Sequence, residues 1–200
     1  MKDRFNQRAI LSRIAVVLLT LLASVSHAAE PVRVLVAYSS QTGHTAKMAG
    51  AAAEGVRAAG AEAVLRRVTE VSKPDLEQAD AVMLGSPVHM GDVSVEMRQA
   101  LVNWSGDFGF WSSKGLQNKV GAVFATGGSP SNGKEFTMMS MALTLLQFGM
   151  VIVSPYGGLG ASAATAIPET DQGVDERELT EARELGKRVA AIAARMKVAP

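Results

Sequence analysis

Val32-Arg33-Val34-Leu35-Val36-Ala37-Tyr38 runs directly into Ser39-Ser40-Gln41-Thr42-Gly43-His44-Thr45. The first seven residues are mostly apolar and β-branched, the pattern of a strand buried on both faces of a parallel sheet. The next seven are mainly small, hydroxyl-bearing or glycine, and Ala46-Lys47-Met48-Ala49 begins a helix. A strand that turns tightly into a helix N-terminus, with hydroxyls and backbone N–H groups at the turn, makes an anion site. The turn lacks the lysine and glycine spacing of a Walker loop, and it is not G-x-G-x-x-G. An ordinary strand–turn–helix junction with a hydroxyl cap has the same local pattern, so the remaining chain must decide.

Beyond that junction, strand and helix patterns alternate. Strands are expected at residues 32–38, 63–68, 81–85, 120–125 and 151–153. Helices are expected at 44–59, closed by Gly60, and at 93–104 and 135–148, closed by Gly149. A last amphipathic helix spans 175–197, with Asp175 and Glu178 spaced as a capping box. Residues 157–173 are rich in Gly, Ala, Ser and Thr and read as a long surface loop. Such alternation implies an α/β fold with a parallel sheet covered on both faces. Right-handed crossovers then bring the strand-to-helix loops to the sheet's carboxyl edge, where ligands bind. Three loops should converge there: residues 39–45, 86–91 and 126–134.

Composition bounds the rest. Two hundred residues, 48% apolar and 20% charged, suit one domain with a short extension. Lys2, Arg4, Arg8 and Arg13 form a basic lead. Ile14 opens an apolar run that reaches Val25, and Ser26-His27-Ala28 supplies small residues for cleavage. Residues 1–28 therefore read as a secretory signal peptide, with residues 29–200 as an exported, periplasmic domain. An uncleaved anchor is the alternative, but a span needs roughly 20 apolar residues. Without that segment, the totals of 20 basic and 19 acidic residues fall to 16 and 18, a net of −2. No basic patch points to nucleic acid. The chain has no cysteine, which excludes disulfides, thiolate catalysis and Cys-ligated metal; no metal site is expected.

The second loop is Gly85-Ser86-Pro87-Val88-His89-Met90-Gly91. The third is Ala125-Thr126-Gly127-Gly128-Ser129-Pro130-Ser131-Asn132-Gly133-Lys134-Glu135. Taken in order with Met97-Arg98, Gly109-Phe110-Trp111, residues 119–124, residues 145–151 and the last helix, they resemble one family. It is the flavodoxin-like NAD(P)H:quinone oxidoreductases, the tryptophan-repressor-binding-protein (WrbA-like) family. The resemblance covers residues 32–197. It implies a doubly wound sheet of five parallel strands, order 2-1-3-4-5, with helices on both faces.

The same resemblance implies site roles. Ser40, Gln41, Thr42, Gly43, His44 and Thr45 would hold the phosphate of FMN. Pro87, Val88, His89 and Met90 would border the isoalloxazine ring. Thr126, Gly127, Gly128, Ser129, Pro130 and Ser131 would run along its pyrimidine side. Thr42 would also meet the nicotinamide donor, NAD(P)H. Trp111 matches a tryptophan that lines the quinone substrate face, often beside a neighbouring subunit's flavin; its plainer role is a half-buried packing aromatic. The family commonly carries His-His where Gln147-Phe148 stand, so Gln147 replaces a histidine near FMN. The segment between the second and third strands is shorter than in the family, and the stretch before Trp111 is longer. A homo-oligomer, dimer or tetramer, is implied as well.

FMN would carry the redox chemistry. The ring-side loops hold few aromatics, which leaves a face where nicotinamide and then quinone stack in turn, in ping-pong hydride transfer. His89 is the candidate donor to a reduced quinone, or simply a loop histidine. Export conflicts with a supply of NAD(P)H. An exported flavodoxin-type electron carrier and a non-catalytic FMN-binding protein therefore stand beside the reductase.

Overall fold

The computed structural model describes residues 30–164 and 173–198. The expected signal segment lies outside them, as do residues 165–172.

Strand β1 (Arg33–Tyr38) buries Val34, Leu35, Val36 and Ala37 completely. It is followed by α1 (His44–Ala58), β2 (Glu62–Arg67), a 3₁₀ turn (Val68–Glu70) and α2 (Lys73–Gln78). Next come β3 (Ala81–Pro87), α3 (Val95–Ser105), α4 (Phe110–Ser113), β4 (Val120–Gly127) and α5 (Lys134–Gln147). The chain continues through β5 (Val151–Ile152), β6 (Ala161–Ala164) and α6 (Glu176–Val198). The sheet runs β2-β1-β3-β4-β5, every pair parallel. This is the doubly wound, flavodoxin-like order.

Alternation along β1 sends its side chains to two cores. Val34 and Val36 join Met83, Ala122 and Phe124 beneath α1 and α6. Leu35 and Ala37 join Val82, Leu84 and Val123 beneath α3 and α5. Helices α1 and α6 cross in close contact. A Cβ on Gly55 would collide with the Arg183 carbonyl, and one on Gly186 with that of Ala52.

Most expected elements form within a few residues of their sequence bounds, but two departures matter. First, α2 and α4 are additional short helices. α2 starts at a capping box, with Ser72 and Asp75 exchanging bonds. Second, the stretch read as a loop from residue 157 contains β6, which pairs with residues 124–127 of β4. The fifth sheet position is thus filled by two pieces, β5 beside the start of β4 and β6 beside its end. The expected cap of α6 forms: Asp175 Oδ1 accepts from Glu178 N (2.8 Å) and Glu178 Oε2 from Asp175 N (2.9 Å). Glu178 Oε1 also accepts from Ala164 N (2.8 Å), tying the helix to β6.

Candidate functional site

Register delivers the three loops to one edge. Tyr38 lies opposite Gly85, and Pro87 opposite Thr126. The chains leaving β1, β3 and β4 are therefore neighbours from the moment they turn.

The first loop is organised by hydroxyls. Ser39 Oγ lies 2.7 Å from Ser94 Oγ, both buried, and Ser86 Oγ accepts from Ser94 N (2.9 Å). This chain of serines joins the first loop to the second. Thr45 and Thr126 are both buried, and their hydroxyls lie 2.8 Å apart, which joins the first loop to the third. Ser40 Oγ accepts from Gly43 N (3.2 Å) and Ala46 N (3.3 Å). Gly43 is the N-cap of α1 at φ 95°, with no side-chain cap and no acidic residue in the first turn. Gln41 and Thr42 are exposed, and Thr42 Oγ1 sits 2.7 Å from His44 Nδ1. A fifteen-residue helix start with a glycine N-cap, hydroxyls around it and no acidic residue in its first turn suits a phosphate.

The second loop closes on itself. His89 N donates to Asp92 O (2.8 Å) and Asp92 N to His89 O (3.0 Å). Met90 (φ 51°) and Gly91 (φ 82°) form the tip. Two successive left-handed residues make a type I′ hairpin turn, and a methionine there is strained. Its side chain is fully exposed. Val88 N donates to Thr126 O (2.8 Å), holding this loop against β4. Arg98 braces it from α3, with its guanidinium 2.7 Å from Asp92 Oδ2 and 2.9 Å from Ser140 Oγ. Burial pushes the Asp92 carboxyl up, but the Val93 amide, Arg98 and Ser140 outweigh it and hold it below the usual carboxylate range.

The third loop touches the second. A Cβ on Gly133 (φ 98°) would sit 3.0 Å from the Gly91 carbonyl oxygen, so this approach requires glycine twice over. Gly128, Ser129, Pro130 and Ser131 are exposed along the loop.

Two expected residues are not brought to this edge. α4 follows α3, and Gln147 ends α5 just before Val151 pairs with Val120, the first residue of β4. Trp111 and Gln147 therefore lie at the amino edge, lining one hollow of about 350 Å³ with Phe110, Lys114, Gln117 and Phe148. Within one chain, Gln147 is not part of the loop cluster. Trp111 is not a packing aromatic either: it is 62% exposed, and Phe110 takes the buried place.

Sequence reasoning missed Ser94, Lys134 and Arg67. Arg67 Nη1 donates to the Ser40 carbonyl (3.1 Å), bringing a basic group to a loop with no Lys or Arg of its own. Only Ser94, as a cap three residues before Met97, left a local signal.

One further surface stands out. Phe136, Met139, Leu143 and Leu146 of α5 are all 47% or more exposed. Their 3-4-3 spacing is that of a helix–helix seam. The Arg98–Ser140 contact sets α3 beside it, with Val95 and Val102 also exposed.

The sequence profile of the family described as Flavodoxin matches residues 36–180. The NAD(P)H dehydrogenase (quinone) of Archaeoglobus fulgidus is 34% identical over 197 residues, covering 82% of this chain and 98% of that protein. The protein of the same name from Geotalea daltonii is 36% identical over 206 residues, covering 84% and 99%. The crystal structure of a WrbA-like flavodoxin from Agrobacterium tumefaciens superposes with a TM-score of 0.71 at 29% identity, over 82% of this chain and 98% of that one.

Proposed function

This chain belongs to the flavodoxin family, among relatives named NAD(P)H dehydrogenase (quinone), and on that premise we propose that it is an FMN-dependent quinone reductase. NAD(P)H is the donor, and a quinone takes two electrons in a ping-pong sequence. The observation that carries the reading is the convergence of three loops, two of them cross-linked by the Thr45–Thr126 hydroxyl pair, at a helix start with no acidic cap.

When bound, FMN supplies hydride acceptance and return; the chain supplies position. Ser40 and Thr42, with the first-turn N–H groups of α1, hold the phosphate. Val88, His89 and Met90 border the ring, and residues 126–131 follow its pyrimidine edge. His89 donates a hydrogen bond toward the reduced quinone. Thr42 faces the nicotinamide.

The partner is a second copy of this chain. The seam on α5 is apolar where a lone domain would be polar, and a second copy would cover it. Such a copy also supplies what one chain lacks at the loops, an exposed Trp111 and its neighbour Gln147. Leu143→Glu should give a monomer by light scattering that still takes up FMN; an unchanged oligomer would remove this part.

Residues 1–28 support export. A reporter fusion that stays cytoplasmic would end that reading and with it the question of donor supply.

Initial rates test the reductase. Quinone-dependent oxidation of NADH or NADPH should give parallel double-reciprocal lines. FMN uptake without such turnover would leave the electron carrier instead.

A further inference from the structure

Lys134, the first residue of α5, is only 4% exposed. A lysine is costly there for two reasons. A buried cation loses its hydration, and a helix start already carries partial positive charge. Its Nζ donates to two backbone carbonyls, Ser129 O at 2.8 Å and Pro130 O at 3.0 Å. The ion pairs among the described residues do not include it. Glu135, next in sequence, is exposed. The Lys134 ammonium thus sits inside the third loop, held by two backbone carbonyls and by no ion pair among the described residues.

The contact also fixes how the loop faces. A trans peptide sets each C=O antiparallel to the N–H that follows, and the described peptides are trans. With the Pro130 carbonyl turned in to the ammonium, the Ser131 N–H turns away from it, out of the loop. Pro130 has no N–H of its own, so Ser131 presents the donor of this stretch. Asn132, oriented to match its neighbours, accepts from Gly128 N (2.9 Å) and donates to Ser129 O (3.2 Å), closing the same ring.

We propose that Lys134 is a positioning residue that makes this loop favour the fully reduced, anionic flavin over the oxidised one. The inference rests on the FMN reading above. A hydride from NAD(P)H carries two electrons and one proton, so the ring gains one negative charge that the oxidised ring lacks. A fixed, buried cation beneath the pyrimidine-side loop attracts that new charge and is screened little by salt. The FMN phosphate is charged alike in both states and does not respond.

The test compares FMN binding in both redox states. Fluorescence quenching gives the dissociation constant for oxidised FMN, and anaerobic potentiometry gives the two-electron midpoint. Lys134→Met should weaken reduced FMN about tenfold more than oxidised FMN, lowering the midpoint by about 30 mV. Lys134→Gln keeps a donor for the loop but no charge, and should follow it. Lys134→Arg should leave the midpoint near that of the unaltered chain. If the methionine variant does not fold, the Gln and Arg variants carry the same comparison. Equal weakening of both states, with an unmoved midpoint, would mean a structural lysine only and would overturn the proposal. An unaltered chain that takes up no FMN would instead overturn the reading beneath it, and is told apart at the first titration.

Discussion

The loops after β1 and β4 end alike and are built differently. Each leads through a left-handed glycine, Gly43 at φ 95° or Gly133 at φ 98°, into a long helix with no side-chain cap. At the start of α1 the first loop offers hydroxyls and backbone N–H groups, with the Arg67 guanidinium bonded to its Ser40 carbonyl. At the start of α5 the third loop wraps a buried lysine. On the FMN reading proposed above, the difference follows the charge each one would meet. A phosphate is always anionic, and neutral donors at a helix end suffice to hold it. The ring becomes anionic only after reduction, and a fixed cation there acts on one state alone. Binding that is uniform sets affinity, whereas binding that differs between states sets reactivity.

Four substitutions probe that contrast. Gly133→Ala should be the most damaging. The new methyl is strained at φ 98° and meets the Gly91 carbonyl. About 2–3 kcal/mol of stability should be lost, read by urea unfolding, with FMN affinity falling because two loops move. Thr45→Val comes next. It leaves the buried Thr126 hydroxyl without its partner, at about 1–3 kcal/mol. Its signature is equal weakening of oxidised and reduced FMN; unequal weakening would mean that the first loop also distinguishes the two redox states. Gly43→Ala should cost only about 1–2 kcal/mol, since its methyl meets nothing within 4 Å and carries left-handed strain alone. Arg98→Ala should be mildest. Asp92 is held low in the folded state, so it adds stability above its unfolded value, and that stability is lost as pH falls through the folded one. Without Arg98, the Asp92 titration should move up, seen by carboxyl NMR, while activity near neutral pH changes little.

How far the sequence reveals these regions depends on how local their causes are. β1 is legible because four successive side chains are buried on both faces. The α6 cap is legible because Asp175 and Glu178 bond each other three residues apart. β6 is not, because Ala161-Ser162-Ala163-Ala164 has no strand former. It is a strand through its pairing with residues 124–127. α2 passed unseen because six residues give no period to count. The hydroxyl character of the first loop could be read from its own residues. The third could not, since a lysine opening a helix reads as a solvated group, and only the fold of residues 128–133 around it buries it. Gln147 was assigned by motif position, but the direction of α5 carries it to the far edge.

If these loops hold an FMN that NAD(P)H reduces and quinone reoxidises, one anaerobic titration shows it. Load residues 29–200 with FMN, remove oxygen and titrate with NADPH or NADH, following the visible flavin band. One equivalent of donor should bleach one equivalent of flavin, and one equivalent of benzoquinone should restore the colour in full. Bound flavin that neither nucleotide bleaches would exclude the NAD(P)H-dependent reductase.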